Sequence, residues 1–114
     1  MKVVLLAAIL ALAVTQASGF TGIDLYQFCI VAQKGTLGDA TCTTYVRGFI
    51  DGLIIGTFVT SKDWKISPPD AGIPVAHGRL ILENYLRDHP EVLNEDGGYL
   101  FGFAMIDAFR CPSN

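Results

Sequence analysis

Three cysteines and two histidines are the residues of this sequence best suited to chemistry, and their spacing argues against a reaction centre. Cys29, Cys42 and Cys111 are widely separated, and no C-x-x-C pair is present. The histidines, His77 and His89, are also far from each other along the chain. These residues fit neither the ligand spacing of a zinc site nor a recognisable Ser/His/Asp or Cys/His arrangement. We therefore expect no metal, no cofactor and no enzymatic activity.

The N-terminal segment has the layout of a secretory signal peptide. Lys2 precedes an unbroken apolar run at residues 3–14, and Thr15-Gln16-Ala17 then offers small residues for cleavage. A transmembrane helix needs about 20 apolar residues, which this run does not reach. We expect residues 1–17 to be removed and residues 18–114 to form one exported domain without a membrane span.

The composition predicts a small acidic globular domain. Lys and Arg total 8 against 11 Asp and Glu, which gives a net charge of −3. Loss of Lys2 with the signal makes the mature chain more acidic still. Because a nucleic-acid binder needs clustered cationic surface, we expect no nucleic-acid partner.

Four helical segments and no alternating strand pattern predict an all-α fold. Their expected ranges are residues 22–32, 41–59, 74–89 and 94–109. The expected N-terminal caps are Thr21 for the first helix, Asp39 or Thr41 for the second, and Asn94 for the fourth. Since the connections are short, we predict a compact, largely antiparallel four-helix bundle.

The second helix carries a stripe of glycines. Gly48, Gly52 and Gly56 recur every four residues and so share one side of the helix. Each glycine costs a helix about 1 kcal/mol relative to alanine, so the stripe suggests a neighbouring backbone packed very close. Arg47 and Asp51 interrupt the apolar run, which argues against a GxxxG dimer in a membrane. We expect the stripe to lie against another helix of the bundle.

A bundle of this kind brings two of the cysteines together. Cys29 lies near the end of the first helix and Cys42 near the start of the second, and these two helix ends are neighbours. A disulfide between them would contribute about 3 kcal/mol to stability. Cys111 falls at the opposite pole, beyond the roughly 7 Å between Cα atoms that a disulfide spans. We expect one disulfide staple, with Cys111 left as a free thiol or available for an intermolecular bond.

The polar segment at residues 61–72 is the predicted partner-binding loop. It carries the only tryptophan, Trp64, with the charged neighbours Lys62, Asp63 and Lys65. An aromatic anchor ringed by charges suits an interface hot spot, and two consecutive prolines would lower the entropy lost on docking. The alternative is that Trp64 folds back over the end of the bundle as part of the core.

Three short motifs occur in order along the chain. Residues 42–51 fit C-x-x-Y-x-x-G-x-x-D, residues 85–91 read Y-L-x-x-H-P-E, and residues 108–111 are close to A-F-P-C. Together they resemble the Rap/Tai-type immunity proteins, small exported partners of the type VI secretion amidases. A further cysteine that this family usually carries after the second helix is missing from residues 64–70. The matched residues are expected to serve as scaffold: Tyr45, Gly48, Asp51, Tyr85, His89 and Pro90.

This resemblance implies a binding protein and not an enzyme. Such proteins neutralise a peptidoglycan-cleaving amidase in the periplasm by occluding its active-site cleft, often as homodimers. For this chain the resemblance implies an effector amidase as protein partner, a periplasmic location and a homodimer. Two alternatives stay open: a periplasmic acid-stress chaperone of the Hde type, and an orphan family member with another protein partner.

Overall fold

The computed structural model describes residues 19–59 and 66–112, which form four helices and no sheet strand. The helices are α1 (Gly22–Tyr26, continued as a π-helix by Gln27–Val31), α2 (Leu37–Val59), α3 (Val75–Asp88) and α4 (Gly97–Ala108). A short 3-10 turn, Pro90–Val92, follows α3. The predicted compact all-α fold is confirmed. Within the described ranges, no helix is both long enough and apolar enough to cross a membrane.

The start of α1 follows the cap expected from the sequence. The Asp24 N–H donates to Thr21 Oγ at 3.3 Å, and the Thr21 N–H donates to the Asp24 carboxylate at 2.9 Å. Each side chain therefore satisfies a backbone donor of the other residue, which is the capping-box arrangement. The predicted range of this helix is also confirmed.

The start of α2 differs from the expectation. Thr36 Oγ accepts from the Asp39 N–H at 3.4 Å, while the Asp39 carboxylate accepts from the Gly35 N–H at 3.0 Å. Gly35 has a positive φ of 83°, which glycine adopts without strain. The turn at Gly35 therefore lets the helix begin at Leu37, and capping by Asp39 or Thr41 is wrong.

The start of α4 is also set by a different residue from the one expected. The Asp96 carboxylate accepts from the Gly98 N–H at 2.9 Å and from the Tyr99 N–H at 3.2 Å. The helix thus begins at Gly97, and the prediction that Asn94 caps it is wrong. A Cβ at Gly97 would lie 2.8 Å from the Phe20 carbonyl oxygen and 2.6 Å from a methyl carbon of Leu25, so only glycine fits where α4 begins.

One apolar core lies between the helices. Its largest fully buried side chains are Phe101, Leu25, Leu82, Leu86, Leu100, Met105 and Val46. Each buried side chain of this size contributes about 1.5 to 3 kcal/mol relative to leaving it in water. This shared core makes the helices one packed unit.

The predicted close contact of the glycine stripe is wrong for Gly48 and Gly52. Gly48 and Gly52 are exposed, and no described atom comes within 4 Å of a Cβ built at either position. The close approach between α2 and α3 occurs instead at Gly78, where a Cβ would lie 2.7 Å from Ile50 Cδ1. The buried residues Val46 and Ile50 occupy the other side of α2, so Gly48 and Gly52 point outward.

The predicted disulfide is confirmed. Cys29 and Cys42 are both buried and bonded to each other, with their Cα atoms 5.0 Å apart. Cys111 lies outside this bridge, at the exposed end of α4, where the Ser67 hydroxyl donates to its Sγ at 2.8 Å. The Ser67 N–H also donates to the Phe109 carbonyl at 2.7 Å. The segment that follows the undescribed loop is therefore held against the C-terminal end of α4.

Arg79 ties three helices together beside the disulfide. Its guanidinium pairs with the carboxylates of Asp39 at 2.6 Å and Glu83 at 2.9 Å, and it donates to the Cys29 carbonyl at 3.2 Å. Burial lowers the pKa of Arg79, but the bonds to Glu83 and Asp39 outweigh burial and raise it overall. Hydrogen bonds from the Gly35 N–H and from Arg79 hold the pKa of Asp39 below its usual value.

We expect acid to weaken this junction through Asp39. Because the pKa of Asp39 is lower in the folded protein than in the unfolded chain, its ionised form stabilises the fold above the unfolded pKa. That contribution is lost as the pH falls through the folded pKa. The stability advantage of the wild type over Asp39→Asn in urea unfolding should therefore shrink between about pH 5 and pH 2. An advantage that stays constant over this range would contradict the assignment.

Candidate partner-binding surface

The loop residues predicted to bind a partner, Lys62, Asp63, Trp64 and Lys65, lie outside the described residues. Their role, and the alternative core role of Trp64, stay predictions. The chain is described again from Ile66, which is buried and forms an isolated antiparallel bridge with Arg110. The loop therefore ends at a fixed point next to the end of α4.

The helix α4 exposes apolar side chains on the side that faces away from the core. Its buried residues are Gly97, Leu100, Phe101, Ala104 and Met105. On the other side Tyr99 is 71% exposed and Phe103 is 50% exposed, and Ile106 follows them half-buried. We call Tyr99, Phe103 and Ile106 the aromatic face of α4. A helix that is apolar on every side is normally covered, so this face has the character of a docking surface.

Carboxylates surround the aromatic face of α4. Glu95 and Asp96 lie exposed at its N-terminal end. Asp107 lies exposed at its C-terminal end, where Arg110 pairs with its carboxylate at 2.9 Å. On α3, burial raises the pKa of Tyr85, and repulsion from Asp107, Glu95 and Glu91 raises it further. These carboxylates therefore act on the side chain of a neighbouring helix. The surface therefore combines aromatic side chains with negative charge at its N-terminal end, which suits a partner that presents apolar and cationic groups.

The two histidines make local contacts. His89 Nδ1 lies 2.9 Å from the Tyr85 carbonyl oxygen, and the two rings stack with centroids 4.0 Å apart. Pro90 begins the 3-10 turn directly after this residue. His77 is exposed in the first turn of α3, with its ring 6.0 Å from that of Phe109. Among the described residues, no group of three or more His, Cys, Asp or Glu side chains could hold a metal ion.

The motif residues of α2 have two different environments. Tyr45 is half-buried, and its ring lies 5.8 Å from that of Phe20 and 6.3 Å from that of Phe101. Gly48 and Asp51 lie exposed on the same helix. The motif thus contributes one side chain to an aromatic cluster and leaves two residues on the surface.

Periodicity alone did not single out Tyr99 and Phe103. The twelve residues of α4 include only one charged side chain, Asp107, so apolar residues fall on all sides of the helix. Such a pattern does not tell which aromatic ring is buried. The sequence signal that could have indicated an exposed apolar surface was the apolar content of α4, which is larger than one buried side of a helix requires.

The chain is a disulfide-stapled helical domain with an exposed aromatic face, a combination that suits a small protein-binding module. The sequence model of the Rap1a immunity proteins matches residues 21–111. The chain therefore belongs to the Rap1a immunity protein family, and the resemblance drawn from its motifs is confirmed. Searches of the curated proteins and of the solved structures gave no significant match.

Proposed function

We propose that this chain is an immunity protein that binds a type VI secretion peptidoglycan amidase and blocks its active-site cleft. Membership of the Rap1a family supports an immunity protein for a secreted effector and favours it over an acid-stress chaperone. The observation that carries the binding role is the exposure of Tyr99 and Phe103 on a helix whose other side is locked in the core. Aromatic side chains presented by a rigid element are typical interface hot spots.

We infer that the protein acts in the periplasm after loss of residues 1–17, as a homodimer of the domain formed by residues 18–114. The apolar run at residues 3–14 supports export. The Cys29–Cys42 disulfide supports an oxidising compartment, because such bridges rarely persist in the cytosol. The homodimer is proposed from the family resemblance. If one copy binds the amidase and a second copy at the same time, the surface that contacts the second copy must lie apart from the aromatic face of α4.

The binding proposal is tested with a type VI secretion amidase, taken from the reading frame next to that of this chain where that frame encodes one. We expect Tyr99→Ala and Phe103→Ala each to weaken binding about 30-fold in calorimetric titration, as hot-spot truncations worth about 2 kcal/mol do. Inhibition of peptidoglycan hydrolysis should weaken in parallel. Leu80→Ala is the matched control, since Leu80 is 51% exposed but belongs to α3.

The same titration separates the two candidate surfaces. If Trp64→Ala abolishes binding while Tyr99→Ala and Phe103→Ala leave it unchanged, the partner binds the loop at residues 61–72 and the aromatic face of α4 is not the contact. If the wild-type protein neither binds nor inhibits the amidase, the proposed function is wrong.

A further inference from the structure

We infer that two copies of this chain pair through the outward side of α2, in an antiparallel arrangement that sets Arg47 of each copy against Asp51 of the other. This inference rests on the homodimer proposed above and names its surface. It starts from Gly48 and Gly52, which are exposed and have no described atom within 4 Å of a built Cβ.

Glycines at these two positions are not explained by packing inside the described chain. Glycine weakens a helix relative to alanine, and neither position adopts a positive φ that would require it. A glycine stripe does let a second backbone approach a helix closely, because no Cβ intervenes. A helix of a second copy laid across Gly48 and Gly52 would use this property.

The charged residues beside these glycines make this surface complementary to the same surface on a second copy. Arg47 and Asp51 are exposed, lie one helical turn apart and have opposite sign. Within residues 19–59 and 66–112, neither side chain forms an ion pair. In a two-fold antiparallel pair centred level with Phe49, each Arg47 meets the Asp51 of the other copy, so both charges of both copies are satisfied.

The same register brings an exposed apolar side chain to an apolar groove. Ile55 is 64% exposed, and this symmetric register sets it level with position 43 of the second copy. A groove of about 300 Å³ opens beside that position, lined by Phe20, Leu37, Ala40, Thr41, Thr44 and Tyr45. Each copy therefore offers one exposed isoleucine and one groove. In the two-fold pair, Ile55 of each copy lies beside the groove of the other.

A second copy fits this surface better than a different protein. The chain as a whole is acidic, with a net charge of −3, so random contact between copies is repulsive. On the outward side of α2, Arg47 and Asp51 carry opposite charges that sum to zero. In the second copy α2 runs in the opposite direction, so its Asp51 lies opposite Arg47 and its Arg47 lies opposite Asp51.

Sedimentation velocity of the mature protein tests the pairing. We expect the wild type to sediment as a dimer, and Arg47→Asp or Asp51→Arg each to raise the dimer dissociation constant at least about tenfold. The double exchange Arg47→Asp with Asp51→Arg should restore a dissociation constant close to that of the wild type. Gly48→Leu, which adds a side chain at the crossing point, should also favour the monomer while the far-ultraviolet circular dichroism spectrum is unchanged.

Two results would overturn the inference: a wild type that stays monomeric at every loading concentration, or a double exchange that pairs as weakly as the single variants. Amidase titration with the charge-reversed variants keeps this test separate from that of the proposed function. Amidase binding retained by a monomeric variant supports α2 as a surface for self-association. Amidase binding lost from a variant that still dimerises would instead place the amidase on α2 and overturn the assignment.

Discussion

Ser67→Cys is expected to form a second disulfide, with Cys111, and to raise the free energy of unfolding by about 4 kcal/mol. The Ser67 hydroxyl already lies 2.8 Å from Cys111 Sγ across a sequence separation of 44 residues. A sulfur at that position needs to move by less than about 1 Å to reach the disulfide bond length. The backbone on both sides is already fixed, because the Ser67 N–H donates to the Phe109 carbonyl and Ile66 forms an antiparallel backbone bridge with Arg110. The gain arises mainly because the bond restricts the unfolded chain over a long loop.

Urea unfolding of the oxidised and reduced Ser67→Cys protein measures this effect, and intact mass confirms the bond. Two controls separate it from loss of the hydroxyl: Ser67→Ala, and Ser67→Cys combined with Cys111→Ser. Two reactive thiols in the oxidised, folded variant would show that the contact is not as described.

Phe101→Ala is expected to lower the free energy of unfolding by about 4 kcal/mol. Phe101 is fully buried, and its ring stacks on that of Phe49 with centroids 4.1 Å apart. It also faces the ring of Tyr45 at 6.3 Å, so the truncation leaves a cavity between α2 and α4. Because Phe101 links α4 to α2 through these two rings, urea unfolding should report the loss directly.

Phe103→Ala is the matched comparison for this variant. Phe103 lies two positions further along the same helix, but half of its side chain is exposed. Its removal should change stability by less than about 1 kcal/mol and yet weaken amidase binding, whereas Phe101→Ala should bind the amidase normally while it stays folded. Equal destabilisation by the two variants would contradict the assignment of an inner and an outer face to α4.

Several features of this protein follow from the sequence without the structure. The helical spacing of apolar residues predicted four helices, and short connections predicted their compact packing. The pairing of Cys29 with Cys42 followed because the end of one helix must lie near the start of the next. The capping box of Thr21 and Asp24 was predictable because its hydrogen bonds involve neighbouring residues only.

Other features depend on contacts between residues that are distant in sequence. Arg79 bonds to Asp39 and to the Cys29 carbonyl, which lie in two other helices, and nothing in the spacing of the sequence indicates either contact. The glycines of α2 and α3 are alike in type, but Gly78 lies against Ile50 and Gly48 lies open.

The physical reason is that sequence periodicity fixes the angles between side chains around one helix but not the side that meets the core. In α3 the polar residues Asn84, Arg87 and Asp88 mark the outer side, so the two sides of this helix differ in the sequence itself. In α2 and α4 apolar residues and glycines occur on every side. The inward side of these two helices is decided only when the neighbouring helices pack against them, and their outward sides therefore became visible as binding surfaces only in the tertiary structure.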